Sequence, residues 1–129
     1  MERIPVGAPV LTIKKQWLDK ILSGEKTVEV RGATVRFLRA GDTVYFAESG
    51  SQPACVVGKA KFSAVDGPVS ADEFVASKRL HCVRSHELPY PRTFFWHFSD
   101  AERLCVPVQR VRKRGCVVWS RFEPVSATT

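Results

Sequence analysis

The sequence has no long apolar segment and few residues suited to metal binding. Its 129 residues include three histidines and four cysteines, and the cysteines show no C-x-x-C spacing. His81, Cys82 and His86 lie close in sequence, but their spacing does not place two ligands on one helical face. No apolar run approaches the roughly 20 residues of a transmembrane helix. We therefore expect a protein without signal peptide, metal, cofactor or membrane partner.

The cysteines also show no pattern typical of a disulfide framework. Reduced and mostly buried thiols in a cytoplasmic or nuclear protein are the plain interpretation. The four positions are Cys55, Cys82, Cys105 and Cys116.

Positive charge is the strongest feature of the composition. Twenty Lys and Arg residues against 13 Asp and Glu residues give a net charge of +7 and an isoelectric point near 9.6. Such a surface favours polyanionic partners, although many basic domains bind no specific partner. The 44% of hydrophobic residues is enough for a folded core. We assign one domain to residues 9–122, with loose ends at 1–8 and 123–129.

Periodicity predicts strands and two helices. The apolar stripe of Trp17, Leu18, Ile21 and Leu22 predicts a helix that ends before Gly24, and Ser70-x-x-Glu73 is a capping box that opens a second helix through Leu80. Five or six strands with these helices predict an α+β fold with a largely antiparallel, closed sheet. The β-type segments are Pro9–Ile13, Lys26–Arg31, Thr43–Ala47, Ala54–Val65, Thr93–Phe98, Cys105–Val111 and Cys116–Phe122.

The strand after the first helix carries three ionisable residues. Lys26 stands at its start, and Glu29 and Arg31 alternate with two valines that belong to the opposite face. One interpretation is an exposed face on which these residues pair across the sheet, worth about 0–1 kcal/mol. The other is a binding site.

This segment resembles the signature of the ASCH domain family. The resemblance covers roughly residues 9–122 and implies a PUA-like, mostly antiparallel barrel of five to six strands with two or three helices. It also implies a cleft for single-stranded RNA or a nucleobase. The matching features are Leu11-Thr12-Ile13-Lys14, the helix with Trp17 and Ile21, the G-x-K-x-x-E-x-R string from Gly24 to Arg31, Gly41-Asp42, Val56–Phe62, Trp96–Asp100 and the Pro107-Val108…Gly115…Trp119 pattern.

The resemblance suggests a role for each motif residue. Lys26 suits a phosphate or carbonyl oxygen, and Arg31 suits bidentate contact with phosphate or a base edge. Glu29 accepts from an exocyclic amino group or holds Arg31 in place. Lys14 and Lys15 stand where the first strand enters the helix, which in the family faces the cleft.

Two further segments are candidates for nucleic-acid contact. Trp96 and His97 alternate, so we expect one to face outward, and an exposed Trp96 would stack a base at about 1–3 kcal/mol. Residues 112–115 fit a turn that joins the last two strands as a hairpin. Its side chains Arg112, Lys113 and Arg114 would follow a phosphate backbone.

Three functions remain open from the sequence. The leading one is an RNA-binding module, without catalysis, in RNA processing, translation or transcription coactivation. The second is a hydrolase acting on RNA or a modified nucleoside, with Lys26 and Glu29 as acid–base pair. Related amidohydrolases place a threonine where this chain has Glu29, which argues against that activity. The third is a protein-interaction domain. The sequence does not predict the oligomeric state.

Overall fold

Six strands and three helices make up the described part of the chain, and the fold is of the predicted α+β class. The computed structural model describes residues 2–115 and 117–125. The elements are β1 Pro9–Ile13, α1 Lys15–Leu22, β2 Val28–Arg31, β3 Thr43–Glu48, β4 Cys55–Asp66, α2 Ala71–Ala76, α3 Lys78–His81, β5 Phe94–Gln109 and β6 Trp119–Arg121.

The strands form one curled, PUA-like sheet in the order β2-β5-β4-β3-β1-β6. All neighbours are antiparallel except β1 and β3. Three register shifts interrupt the long β4–β5 ladder, and such bulges bend a strand pair. The curl brings the chain after β5 next to the chain after β6, where the Val111 N–H donates to the Glu123 carbonyl at 2.8 Å. The sheet is therefore a partly closed barrel.

The main core lies inside this curl, under α1. Leu18, Ile21 and Leu22 form the buried stripe of α1 and pack with apolar residues from five of the strands. The helix approaches β4 at Gly58, where an added Cβ would lie 2.4 Å from the Leu22 side chain. Any larger residue at position 58 would displace the end of the Leu22 side chain, so glycine favours this close packing.

A second apolar cluster lies on the other face of β2. Val28 and Val30 pack there against Phe74 of α2 and Phe95 of β5, as the alternation predicts. The capping box of Ser70 and Glu73 is present.

The second predicted helix is divided into the two short helices α2 and α3. The chain leaves helical geometry at Ser77, with φ −98° and ψ 14°. The short α3 then brings the His81 ring onto Phe74 at a centroid distance of 4.4 Å.

The predicted terminal hairpin is wrong. The last strand, β6, pairs with β1 and not with β5. The polar stretch between Phe98 and Cys105 also remains extended, so the two strands predicted on either side of it are the single strand β5. Pairing with β4 stabilises this polar stretch, because Lys59 lies opposite Glu102 with its Nζ 3.4 Å from Oε1. Cys116, the predicted start of the last strand, lies outside the described residues.

The chain before β1, which we expected to be loose, contacts the sheet. Glu2 pairs with Lys59 at 3.1 Å, and the Gly7 N–H donates to the Phe122 carbonyl at 2.8 Å. Ile4 and Ala8 pack on an apolar cluster around Val10. Residues 126–129 lie outside the described part of the chain. None of the helices described within 2–115 and 117–125 has the length and apolar composition of a membrane span.

Candidate ligand cleft

A cavity of about 530 Å³ opens at one end of the barrel. Five parts of the chain contribute lining residues: 12–17, 26–31, Ser49 and Gly50 after β3, 83–90, and the described residues that run from Arg110 after β5 to Ser120 in β6. We call this cavity the cleft. It brings together segments that are far apart in sequence.

Local sequence explains how the motif strand reaches the cleft. Gly24 has a φ of +85°, which glycine adopts without strain, and it turns the chain at the end of α1. The Lys26 N–H then donates to the Lys20 carbonyl at 3.0 Å, which fixes the entry into β2. Because successive side chains alternate in a strand, Val28 turns to the apolar cluster and Glu29 turns to the cleft.

Lys26, Glu29 and Arg31 form one connected ionic cluster at the cleft wall. The Lys26 Nζ lies 3.6 Å from Glu29 Oε1, and it also donates to the His81 carbonyl. Glu29 Oε2 accepts from Arg31 Nε at 2.8 Å and lies 2.7 Å from Nη2 of the same guanidinium. Glu29 therefore holds Arg31 in place, one of the two roles expected for it.

Burial determines the electrostatics of this cluster. Lys26 is 1% exposed and Glu29 is 5% exposed. Burial lowers the pKa of Lys26, and the Glu29 carboxylate opposes that effect. An amine with a lowered pKa is easier to deprotonate, as proton-transfer chemistry requires.

Aromatic rings support both cations. The Lys26 Nζ lies 5.0 Å from the centre of the Trp17 ring, and the Arg31 guanidinium lies 5.7 Å from that of Trp96. The Trp96 Nε1 donates to the Ala33 carbonyl at 2.9 Å. The Lys26–Trp17 and Arg31–Trp96 distances are both within the range of cation–π attraction.

The cleft is strongly cationic. Six of its lining side chains are basic, against the single carboxylate of Glu29. Two of the basic side chains also contact residues outside the cleft lining. Lys113 pairs with Glu123 at 2.8 Å, and Arg112 donates to the Ser51 carbonyl. The basic residues are Lys14, Lys26, Arg31, Arg110, Arg112 and Lys113.

Six of the nine predicted contact residues line the cleft, and three do not. Lys15 pairs with Asp19 at 2.7 Å on the outer surface of α1, and Arg114 is exposed outside the cleft lining. Trp96, the third, is not available for stacking on a base, because it is 3% exposed inside the barrel core; His97 is the more exposed residue of the alternating pair. Both faces of β5 are covered at this point, since Phe95 packs in the second cluster.

Several lining residues were not selected from the sequence, and four of them have side chains that bear on binding. Trp17 belongs to the apolar stripe of α1 and was assigned to the core, whereas it lines the cleft at the edge of that core. Tyr90 lies in an irregular, proline-containing stretch, and its ring packs against Gly32. Arg110 was one of several basic residues near the predicted hairpin, and Ser120 gave no signal. Only the folded chain brings them together.

The described residues contain no group of three or more His, Cys, Asp or Glu side chains placed to hold a metal ion. The sulfur atoms of Cys55, Cys82 and Cys105 are not joined in disulfides.

Comparisons with known proteins agree on one family. The family model of the ASCH domain matches residues 11–126. The crystal structure of a serine-to-alanine variant of an ASCH protein from Zymomonas mobilis superposes with a TM-score of 0.69 at 15% identity, covering 93% of this chain and 92% of that one. The unsubstituted Zymomonas mobilis protein gives 0.64 at 15% identity, with 80% and 73% covered. A search of curated proteins found no match.

Proposed function

The chain belongs to the ASCH domain family, and from this premise we propose that its cleft binds single-stranded RNA or a nucleotide-like ligand. ASCH domains are generally RNA-binding domains with a PUA-like fold. We place the protein's role in RNA processing, translation or transcription coactivation, in the cytoplasm or nucleus.

The charge of the cleft carries the proposal. Six cations around one carboxylate in a single concave site favour a polyanion. Phosphate contacts give most of the affinity of nucleic-acid binding and position the strand. The volume of about 530 Å³ is in the usual range of small-ligand sites, roughly 300–1,000 Å³, and suits one nucleotide better than a duplex.

Individual residues divide into two roles. Lys14, Arg112 and Lys113 are exposed at the cleft rim and suit backbone phosphates. The Trp17 and Tyr90 rings also line the cleft, where stacking on a base contributes about 1–3 kcal/mol. Arg31, whose fork is partly used by Glu29, keeps N–H groups for a base edge or a phosphate.

Fluorescence anisotropy with a labelled single-stranded RNA tests the proposal. Replacing Arg112 and Lys113 together by Ala removes two cleft charges, whereas replacing Lys15 and Lys61 removes two charges outside it. We expect the first variant to bind more weakly and to lose about two from the slope of log affinity against log salt.

The control variant should retain the affinity and the slope of the unsubstituted protein. Equal losses in the two variants would mean that the net charge of the surface, not the cleft, attracts RNA. Thermal melts of both variants establish that they are folded.

A second candidate function is hydrolysis of RNA or of a modified nucleoside. The observation that favours it is the buried Lys26 amine, whose pKa is lowered and which lies 3.6 Å from Glu29 at the cleft wall. Such a pair suits general acid–base work. Mass spectrometry after incubation with short RNAs and acylated nucleosides decides between binder and enzyme. Product that disappears in Glu29→Gln would establish the enzyme, and absence of product would leave the binder.

A further inference from the structure

One cation of the cleft is buried without a carboxylate beside it. Arg110 follows β5 and is 7% exposed, and its Nε has no hydrogen-bond partner among the described residues. Burial lowers the pKa of Arg110, and the neighbouring Arg112 guanidinium lowers it further. Because arginine nevertheless remains protonated in proteins, a full positive charge lies at the cleft wall.

Other cations of the cleft have a carboxylate partner. Lys26 is even more deeply buried, at 1% exposure, but has Glu29, and Lys113 has Glu123. A buried charge is costly unless it is paired or hydrogen-bonded. Arg110 therefore calls for an anion that the described part of the chain does not supply.

A second polar group points to the same ligand. The Ser120 Oγ on β6 is buried, lines the cleft and has no hydrogen-bond partner within residues 2–115 and 117–125. The backbone of Arg110 is held firmly, since its N–H donates to the Ala54 carbonyl at 3.0 Å and it forms a β-bridge with Pro124. The guanidinium is thus presented from rigid structure, as a preformed site requires.

We propose that Arg110 binds a phosphate group inside the cleft, with the Ser120 hydroxyl as a second donor. The planar guanidinium forms paired hydrogen bonds with two phosphate oxygens, and the hydroxyl donates to a remaining lone pair of the same phosphate. The phosphate is a phosphodiester of RNA or the phosphate of a mononucleotide, and this identification rests on the proposed function.

Protein-observed NMR titrations with inorganic phosphate and with a tetranucleotide RNA test the proposal. Arg110→Met keeps an apolar stem and removes the charge. Arg103→Met is the matched control, because Arg103 lies on the same strand β5 but pairs with Asp19 outside the cleft. We expect Arg110→Met to weaken the affinity for both ligands by about 10- to 100-fold, the usual scale of a hydrogen bond to a charged group. Arg103→Met should leave both affinities unchanged.

Thermal melts without ligand separate binding from scaffolding. Removal of an uncompensated buried charge should leave the melting temperature of Arg110→Met unchanged or higher, whereas a structural arginine would give a lower one and overturn the proposal. If the methionine variant does not fold, Arg110→Lys keeps the cation without the fork and should still bind phosphate more weakly than the unsubstituted protein.

The two ligands distinguish the two levels of inference. RNA binding that is unaffected in Arg110→Met would overturn the role of Arg110 and leave the proposed function standing. Arg110-dependent binding of inorganic phosphate without RNA binding would support the phosphate site and refute RNA as the ligand. If the unsubstituted protein binds neither, both inferences are wrong.

Discussion

The charge of Glu29 holds the ionic cluster of the cleft together, so its removal is an informative perturbation. One oxygen of Glu29 lies 3.6 Å from the Lys26 Nζ, and the other lies 2.7 Å from Arg31 Nη2. Glu29→Gln keeps the shape of the side chain but leaves both cations without their carboxylate. Removing one partner of a buried ion pair costs about 3–5 kcal/mol, because the remaining charge is uncompensated.

The structure favours the lower end of that range. The Arg31 side chain is 22% exposed and lies over Trp96, so water and the ring compensate part of its loss. Lys26, at 1% exposure, keeps the His81 carbonyl and the Trp17 ring. We therefore expect Glu29→Gln to lower the free energy of unfolding by about 3 kcal/mol. At about 3–4 °C for each kcal/mol, the melting temperature falls by roughly 10 °C.

Lys26→Met provides the matched comparison. It removes the buried cation and leaves Glu29 paired with Arg31, so its main cost is the lost donor to the His81 carbonyl, about 1–2 kcal/mol. Urea unfolding of both variants at neutral pH, followed by tryptophan fluorescence, measures the difference. Glu29→Gln must be the less stable variant. A Lys26→Met variant that is as unstable as Glu29→Gln would refute the description of Glu29 as the partner of two buried or half-buried cations.

Three further predictions follow from individual contacts. Because burial lowers the pKa of Lys26 below 10.5, the unfolded chain binds more protons than the folded one between the lowered value and 10.5. Urea unfolding at several pH values should therefore show the unsubstituted protein gaining stability relative to Lys26→Met as pH rises through that window. Parallel curves of unfolding free energy against pH for the two proteins would contradict this. Tyr90→Ala should weaken RNA binding by about 1–3 kcal/mol in anisotropy titrations while Tyr90→Phe retains it, and equal effects would assign the role to the hydroxyl. Ser70→Ala removes the capping box of α2 and should cost about 1 kcal/mol in thermal melts, whereas an unchanged melting temperature would mean that packing alone holds α2.

Local signals account for the features that the sequence predicted. The stripe of α1, the turn at Gly24 and the alternation of β2 depend on neighbours within a few residues, and each is found where the pattern indicated. Lys26, Glu29 and Arg31 meet because they share one short strand and its entry. The family resemblance added the expectation of a cleft.

The errors arise where distant segments decide the structure. The polar stretch of β5 remains extended because β4 pairs with it, and the main core buries Trp96, which the sequence offered as a candidate for base stacking. The cleft wall formed by described residues between Arg110 and Ser120 meets the motif strand only after the sheet curls. Arg110 is therefore indistinguishable in sequence from other basic residues, although its burial in the fold is distinctive.

Mapping the RNA-binding surface by NMR tests the central claim most directly. The protein has a second basic groove, which attracts RNA through charge alone if the cleft has no special role. It is lined by Lys20, Lys78, Arg79 and Arg84 together with Glu25 and Cys82. Titration of the labelled protein with a short single-stranded RNA should shift the amide signals of Gly50, Val83 and Val118 in the cleft, and leave those of Lys78 and Arg79 in place. Shifts centred on Lys78 and Arg79, or no shifts at all, would contradict RNA binding by the cleft.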